Sequence, residues 1–218
     1  MVKVLNVISD ANIGGAGRVL LNYLKYADRA EFETSVCLPQ GSLLAGPLRG
    51  AGAHVHELPI RADKSFDRRD IGVIRALIEK TLPDIVHTHG SLSGRIAARR
   101  CGRAVVYTRH SVFPPGRLVK AGPGRLVNKL VNERYADRII AVSPAARDNL
   151  TDAGIRSDLI DIVMNGVEPV ERASPVDCAK LRAGLGLEDG EFVLGILARL
   201  EAYKGHAIIL EALKDLTD

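Results

Sequence analysis

Residues 68–90 read RRDIGVIRALIEKTLPDIVHTHG, and the change of period inside this stretch decides the fold. Ile71, Ile74, Leu77 and Ile78 recur at helical spacing and make one apolar face. Asp84–His89 then drops the helical period and reads as a short strand around Ile85-Val86; most of the other strand candidates are largely apolar, as burial on both faces of a parallel sheet requires. The same alternation repeats outward along the chain. Strands are expected at Lys3–Ile8, Glu33–Leu38, His54–Leu58, Ala104–Thr108, Arg138–Val142 and Ile160–Met164. A second apolar helical stripe runs through Leu126, Val127, Leu130 and Val131, and Ser143-Pro144 starts a further helix as N-cap and first residue. Seven such repeats predict one α/β domain, a doubly wound parallel sheet of Rossmann-like type, over residues 1–166. Residues 167–175 (VEPVERASP) carry two prolines and no period, and read as a linker. Residues 176–218 then show a helix near Val176–Ala183, one strand at Phe192–Leu197 and a helix from Gly205, the incomplete start of a second Rossmann-like domain. A lone strand has no sheet partner.

Composition narrows the class. The chain has 218 residues, 46% hydrophobic and 26% charged, which suits a folded globular protein. No apolar run approaches the roughly 18 residues that a membrane helix needs, and MVKVLNVISD reads as a core strand rather than a signal peptide. Three scattered cysteines, Cys37, Cys101 and Cys178, argue for a reducing cytoplasm. The formal charge of +4 hides a strong asymmetry. Between Arg95 and Arg138 stand eleven Lys/Arg (Arg117 and Lys120 among them) against Glu133 and Asp137 alone, a local +9 in a body of −5. Such a segment is expected to meet an anionic partner: phosphate groups, an acidic glycolipid or a membrane surface. Arg125 and Lys129 stand beside the Leu126/Val127/Leu130/Val131 stripe, so this helix is a candidate for docking on the inner face of a membrane, unless the stripe simply faces the core. Nucleic acid is not among the expected partners.

Three segments carry chemistry. The first strand–helix turn, Ser9 to Arg18, contains Gly14, Gly15 and Gly17, and glycines before a helix let backbone N–H groups approach an anion. The dinucleotide fingerprint fails here, because the sixth position counted from Gly15 is Leu20. His87 and His89 share a face near the carboxyl end of their strand, and the next strand ends at His110. No Cys or carboxylate stands at ligand spacing beside them, so a hydrogen-bonding or acid/base role is expected rather than a metal site. Finally, Arg199 and Lys204 follow the expected strand and precede Gly205 and a helix; a bidentate guanidinium, a point charge and a helix N-terminus together suit a diphosphate.

Read together, the Gly14-Gly15 loop, PDIVHTHG, ADRIIAVSPAARDNL (136–150), IVMNGVE (162–168) and GILARLEAYKG (195–205) resemble the retaining glycosyltransferases of the GT-B fold. More narrowly they resemble the "group one" or family-four members that build bacterial surface polysaccharides and glycolipids. The resemblance implies an N-terminal acceptor-binding domain and a C-terminal domain for a nucleotide-sugar donor. It implies transfer of a sugar from a nucleoside-diphosphate sugar to a glycan or lipid-linked acceptor, with no cofactor and no metal. It casts His89, Arg199 and Lys204 as catalytic and Gly14, Gly15, Arg18, His110 and Gly205 as substrate-binding. The chain departs from that pattern at Gly17, where the family commonly has Glu, which leaves the role of Arg18 open. The family's pair of glutamates eight residues apart does not occur in residues 171–218 and is expected further downstream. Two other readings follow: a catalytically incomplete acceptor-binding domain, and a sugar-nucleotide epimerase on the same scaffold.

Overall fold

The computed structural model describes residues 1–112, 122–188 and 190–214. It divides into two compact units, Met1–Glu168 and Pro169–Asp218. In the first, strands and helices alternate: β1 (Val2–Ile8), α1 (Gly15–Tyr26), β2 (Phe32–Pro39), α2 (Ala45–Gly50), β3 (His54–Leu58), α3 (Arg68–Thr81), β4 (Ile85–His89), α4 (Leu92–Arg100), β5 (Ala104–Arg109), α5 (Pro123–Arg134), β6 (Arg138–Ala141), α6 (Pro144–Asp152) and β7 (Ile160–Ile162). All seven strands are parallel in the order β3-β2-β1-β4-β5-β6-β7. The order reverses between β1 and β4, which makes the carboxyl ends of that pair the topological switch point where doubly wound sheets open a crevice.

Strand alternation sorts the side chains between two layers. Leu5, Val7, Val86 and Val105 face one way and pack with Ile71, Ile74, Leu77 and Ile78 of α3 and Ala97 and Ala98 of α4, all essentially buried. Close approach of α4 requires Gly94, since a Cβ there would stand 3.0 Å from Val7 Cγ1. On the other face Ile8, Val36 and Leu38 pack with Leu20 and Leu24 of α1 and with Leu44 and Leu48. Ends are set by local chemistry: Ser91 and Ser143 accept from the backbone N–H groups of Gly94 and Ala146 (3.0 and 3.1 Å), and Asp67 from Arg69 (2.9 Å).

One open alternative is decided and one expectation is corrected. Most of the α5 stripe does not face the core: Leu126, Val127 and Leu130 are each more than half exposed, and Val131 is half-buried. α5 docks instead through polar groups, with Asn128 donating to the Ala153 carbonyl (3.3 Å) and Asn132 accepting from Arg95 (2.9 Å). In the second unit, residues 192–197 form no strand, because a segment without a ladder partner has no hydrogen bonds to hold it extended; Phe192 and Leu197 lie exposed. This unit holds α7 (Pro175–Gly184, capped by Ser174), a 3₁₀ turn at Ala202–Lys204 and α8 (His206–Lys214).

Candidate functional site

At the switch point, β1 and β4 bring Asn6 and His89 together across 83 residues of sequence. Asn6 is buried on the same face of β1 as Val4, and His89 on the same face of β4 as His87. His89 Nε2 lies 3.1 Å from Asn6 Oδ1, and His89 Nδ1 lies 2.9 Å from Nε2 of His110, just beyond β5. His87 Nε2 meets the Thr108 hydroxyl at 2.7 Å, and the rings of His87 and His89 stand 4.4 Å apart. The structure therefore gathers His87, His89 and His110 into one hydrogen-bonded cluster and adds Asn6, which no motif singled out. A signal existed, since Asn6 is the one polar residue in the apolar run Val4–Ile8 of the first strand. Among the described residues, no group of three metal-ligating side chains is placed to hold an ion.

Burial holds all three imidazoles neutral. It pushes His87 from 6.5 down to about 4, helped by the neighbouring His110. His89 lies well below the ordinary imidazole value, by burial and then by His87 and His110, and burial alone lowers His110. Both ring nitrogens of His89 are engaged within the protein. His110 Nδ1, at the far end of the relay, is buried with no partner among the described residues.

Asn6, His87 and His89 line a cavity of about 660 Å³ on the sheet face beside α1. Val4, Ile85, Val106 and Ile140 form its floor, and Tyr23, Tyr26, Val163 and Met164 its walls. Asn22 donates to the Gly166 carbonyl (3.2 Å), and Lys25 pairs with Glu168, so the end of this unit returns to α1. No sequence period announced this groove, because every strand residue on it also fits a covered sheet.

The glycine turn is explained in part by packing. Gly14 is the N-cap of α1, and a Cβ on Gly15 would meet open space, so backbone there is free to approach a ligand. Gly17 is buried, and a Cβ there would lie 2.5 Å from Leu44 Cδ2. Arg18 is exposed. Beside the turn, Asp63 accepts from the Ala11 N–H (3.1 Å) and donates its own N–H to the Ser9 carbonyl (2.7 Å), while burial and the Asp63 carboxylate raise Asp10. Sequence reading missed this pair of carboxylates.

Arg199, Lys204 and Gly205 belong to the second unit. Arg199 donates to the Tyr203 hydroxyl (2.6 Å), Lys204 Nζ stands 5.1 Å from the centre of the same ring, and Gly205 closes the 3₁₀ turn at φ +79°, ahead of α8. Both cations thus converge on one exposed tyrosine. The basic segment, by contrast, is not one surface. Arg95 is buried over the Tyr107 ring (4.3 Å), Arg99 and Arg138 pair with Asp137 and Asp161, and Lys129 pairs with Glu133. Arg117 and Lys120 lie outside the described residues.

This architecture has known counterparts. The D-inositol 3-phosphate glycosyltransferase of Frankia alni is 33% identical over 144 residues, which is 61% of this chain and 35% of that protein. The chain spans about a third to two-fifths of the length of the curated relatives that it matches. The structure of Anabaena Alr3699/HepE in complex with UDP and glucose superposes at a TM-score of 0.78 and 24% identity, over 99% of this chain and 58% of that one. The UDP-GlcNAc 2-epimerase of Neisseria meningitidis, bound to UDP-GlcNAc, reaches a TM-score of 0.51 at 16% identity, over 73% of this chain and 45% of its own. Residues 13–171 match the family described as Glycosyltransferase Family 4; that span is well over half of the sequence and runs from the glycine turn through β2 to β7, and the chain belongs to that family.

Proposed function

We propose that this chain forms the acceptor side and the phosphate-gripping edge of an enzyme that transfers a sugar from a nucleoside-diphosphate sugar. The acceptor is the hydroxyl of a glycan, glycolipid or polyol. The observation that carries this reading is the neutral histidine cluster at the switch point, whose His87 and His89 line the cavity beside α1 and whose His110 keeps one nitrogen unpartnered among the described residues. Family membership and the UDP and glucose held by the Anabaena protein support it. Residues 1–166 would be the acceptor domain and residues after 175 the start of the donor domain, joined by the linker.

In this mechanism His110, held by His89, orients a sugar or acceptor hydroxyl by hydrogen bonding. Departure of the nucleoside diphosphate builds negative charge, which Arg199 and Lys204 offset together with the N–H groups opening α8. Gly14 and Gly15 leave room for the reacting groups at the other helix N-terminus, and Arg18, exposed beside them, is available to a phosphate. Fixed cations and helix ends supply the compensation that a metal ion would otherwise give, and the sugar is transferred with retention. The work takes place in the cytoplasm. The exposed face of α5, with Leu126, Val127 and Leu130 beside Arg125, rests on the inner membrane surface.

The decisive test uses a protein that carries this chain joined to a whole donor domain. Lys204→Ala is expected to lower turnover by about 10²–10³-fold, the cost of one preorganised charge-stabilising contact. Near-normal activity of that variant rejects the assignment. Release of free epimerised sugar instead of transfer product supports the epimerase reading.

A further inference from the structure

The hydrogen bonds at the switch point determine where each ring proton sits. The oxygen of a carboxamide only accepts, so His89 Nε2, 3.1 Å from Asn6 Oδ1, carries the proton and donates. A neutral His89 then has a bare Nδ1, which accepts from His110 Nε2 at 2.9 Å. A neutral His110 whose Nε2 is protonated has a bare Nδ1. That is the nitrogen found buried and without a partner among the described residues, as is the Asn6 amide nitrogen at the other end. One residue on β1 thus sets the protonation pattern of a ring beyond β5. A cationic His89 would reverse the second bond and turn His110 Nδ1 into a donor; burial among apolar neighbours disfavours that charge.

We propose that Asn6 is a positioning residue: through His89 it fixes the His110 tautomer, leaving His110 Nδ1 as a pure hydrogen-bond acceptor that takes a hydroxyl and turns away a phosphate oxygen. The ligand class rests on the glycosyl-transfer reading above, whereas the tautomers rest on the geometry alone. An acceptor-only nitrogen satisfies its lone pair with an O–H donor, but it faces a phosphate oxyanion lone pair to lone pair. An unpaired buried acceptor is costly, and a hydrogen bond from a hydroxyl relieves that cost.

Nitrogen NMR of the ¹⁵N-histidine-labelled 218-residue chain tests this without ligand or turnover. Wild type is expected to show protons on Nε2 of both His89 and His110, and a through-hydrogen-bond coupling between His110 Nε2 and His89 Nδ1. Asn6→Leu, which removes the accepting oxygen at similar volume, is expected to lose that coupling. Asn6→Asp, which keeps it, is expected to retain the coupling. A proton on His89 Nδ1 in wild type, the same coupling in Asn6→Leu, or its loss in Asn6→Asp overturns the proposal. Should Asn6→Leu fail to fold, wild type and Asn6→Asp still decide. Failure of sugar transfer would leave these spectra unchanged, so the two readings fail separately.

Discussion

Acidification should unfold the first unit through its buried histidines, and His87 gives the scale. Its folded-state value is pushed down from 6.5 to about 4 by burial, so below 6.5 the unfolded chain binds a proton that the folded chain refuses. Stability is then complete above about pH 6.5 and lost as the pH falls toward 4. At about 1.4 kcal/mol per pH unit, the full loss from His87 alone approaches about 3 kcal/mol, and about 2 kcal/mol is gone by roughly pH 5. His89 and His110, both shifted the same way, add to it. Against a total stability of about 5–15 kcal/mol the effect is large. Urea unfolding followed by circular dichroism at a series of pH values between 8 and 4.5 measures it. With a slope near 2 kcal/mol per molar urea, the midpoint should move by about 1 M on account of His87. His87→Gln keeps a polar partner for the Thr108 hydroxyl but cannot titrate, and its curve should be flatter by that amount. Parallel curves for wild type and His87→Gln over this range would refute the reasoning.

Three further outcomes follow from packing. Gly17→Ala would ordinarily favour a helix by about 1 kcal/mol, but its Cβ would meet Leu44 at 2.5 Å; a net loss of about 1–3 kcal/mol in chemical denaturation is expected, and a gain would contradict the contact. Thiol labelling of the native chain should be fast at exposed Cys178, slower at Cys101, and absent at Cys37, whose thiol is buried and pushed up to about 12. Replacing Leu126, Val127 and Leu130 together with serine should change stability by less than about 0.5 kcal/mol per site while abolishing co-sedimentation with anionic vesicles at low salt. A large loss of stability would return that stripe to a core, and unchanged vesicle binding would remove α5 from the membrane reading.

Much of the fold was legible because its signals are local. Periodic apolar positions such as Ile71, Ile74, Leu77 and Ile78, short apolar-rich strands, and serine caps at 91 and 143 each act within a few residues. The strand expected at Phe192–Leu197 failed for the complementary reason: extended structure needs a neighbour, and local propensity supplies none. α5 shows how one pattern supports two placements. An amphipathic stripe states that a helix has two faces, but only the polar docking groups Asn128 and Asn132 state which one points inward.

The site divides along the same line. By itself the sequence determined which residue types stand where strands end or helices begin: His89 and His110, Gly14 and Gly15, and the Arg199–Lys204 pair ahead of α8. It also determined the surplus of positive charge between Arg95 and Arg138. Only the tertiary structure decided that Asn6 joins His89, that His89 spends both nitrogens inside the protein, and that His110 carries the one left over. It likewise buried Arg95 and neutralised Arg99, Lys129 and Arg138 with carboxylates. The physical reason is that hydrogen bonds and charge pairs depend on strand order and register. Those bring together residues as far apart as 6 and 89, and no window along the chain contains both.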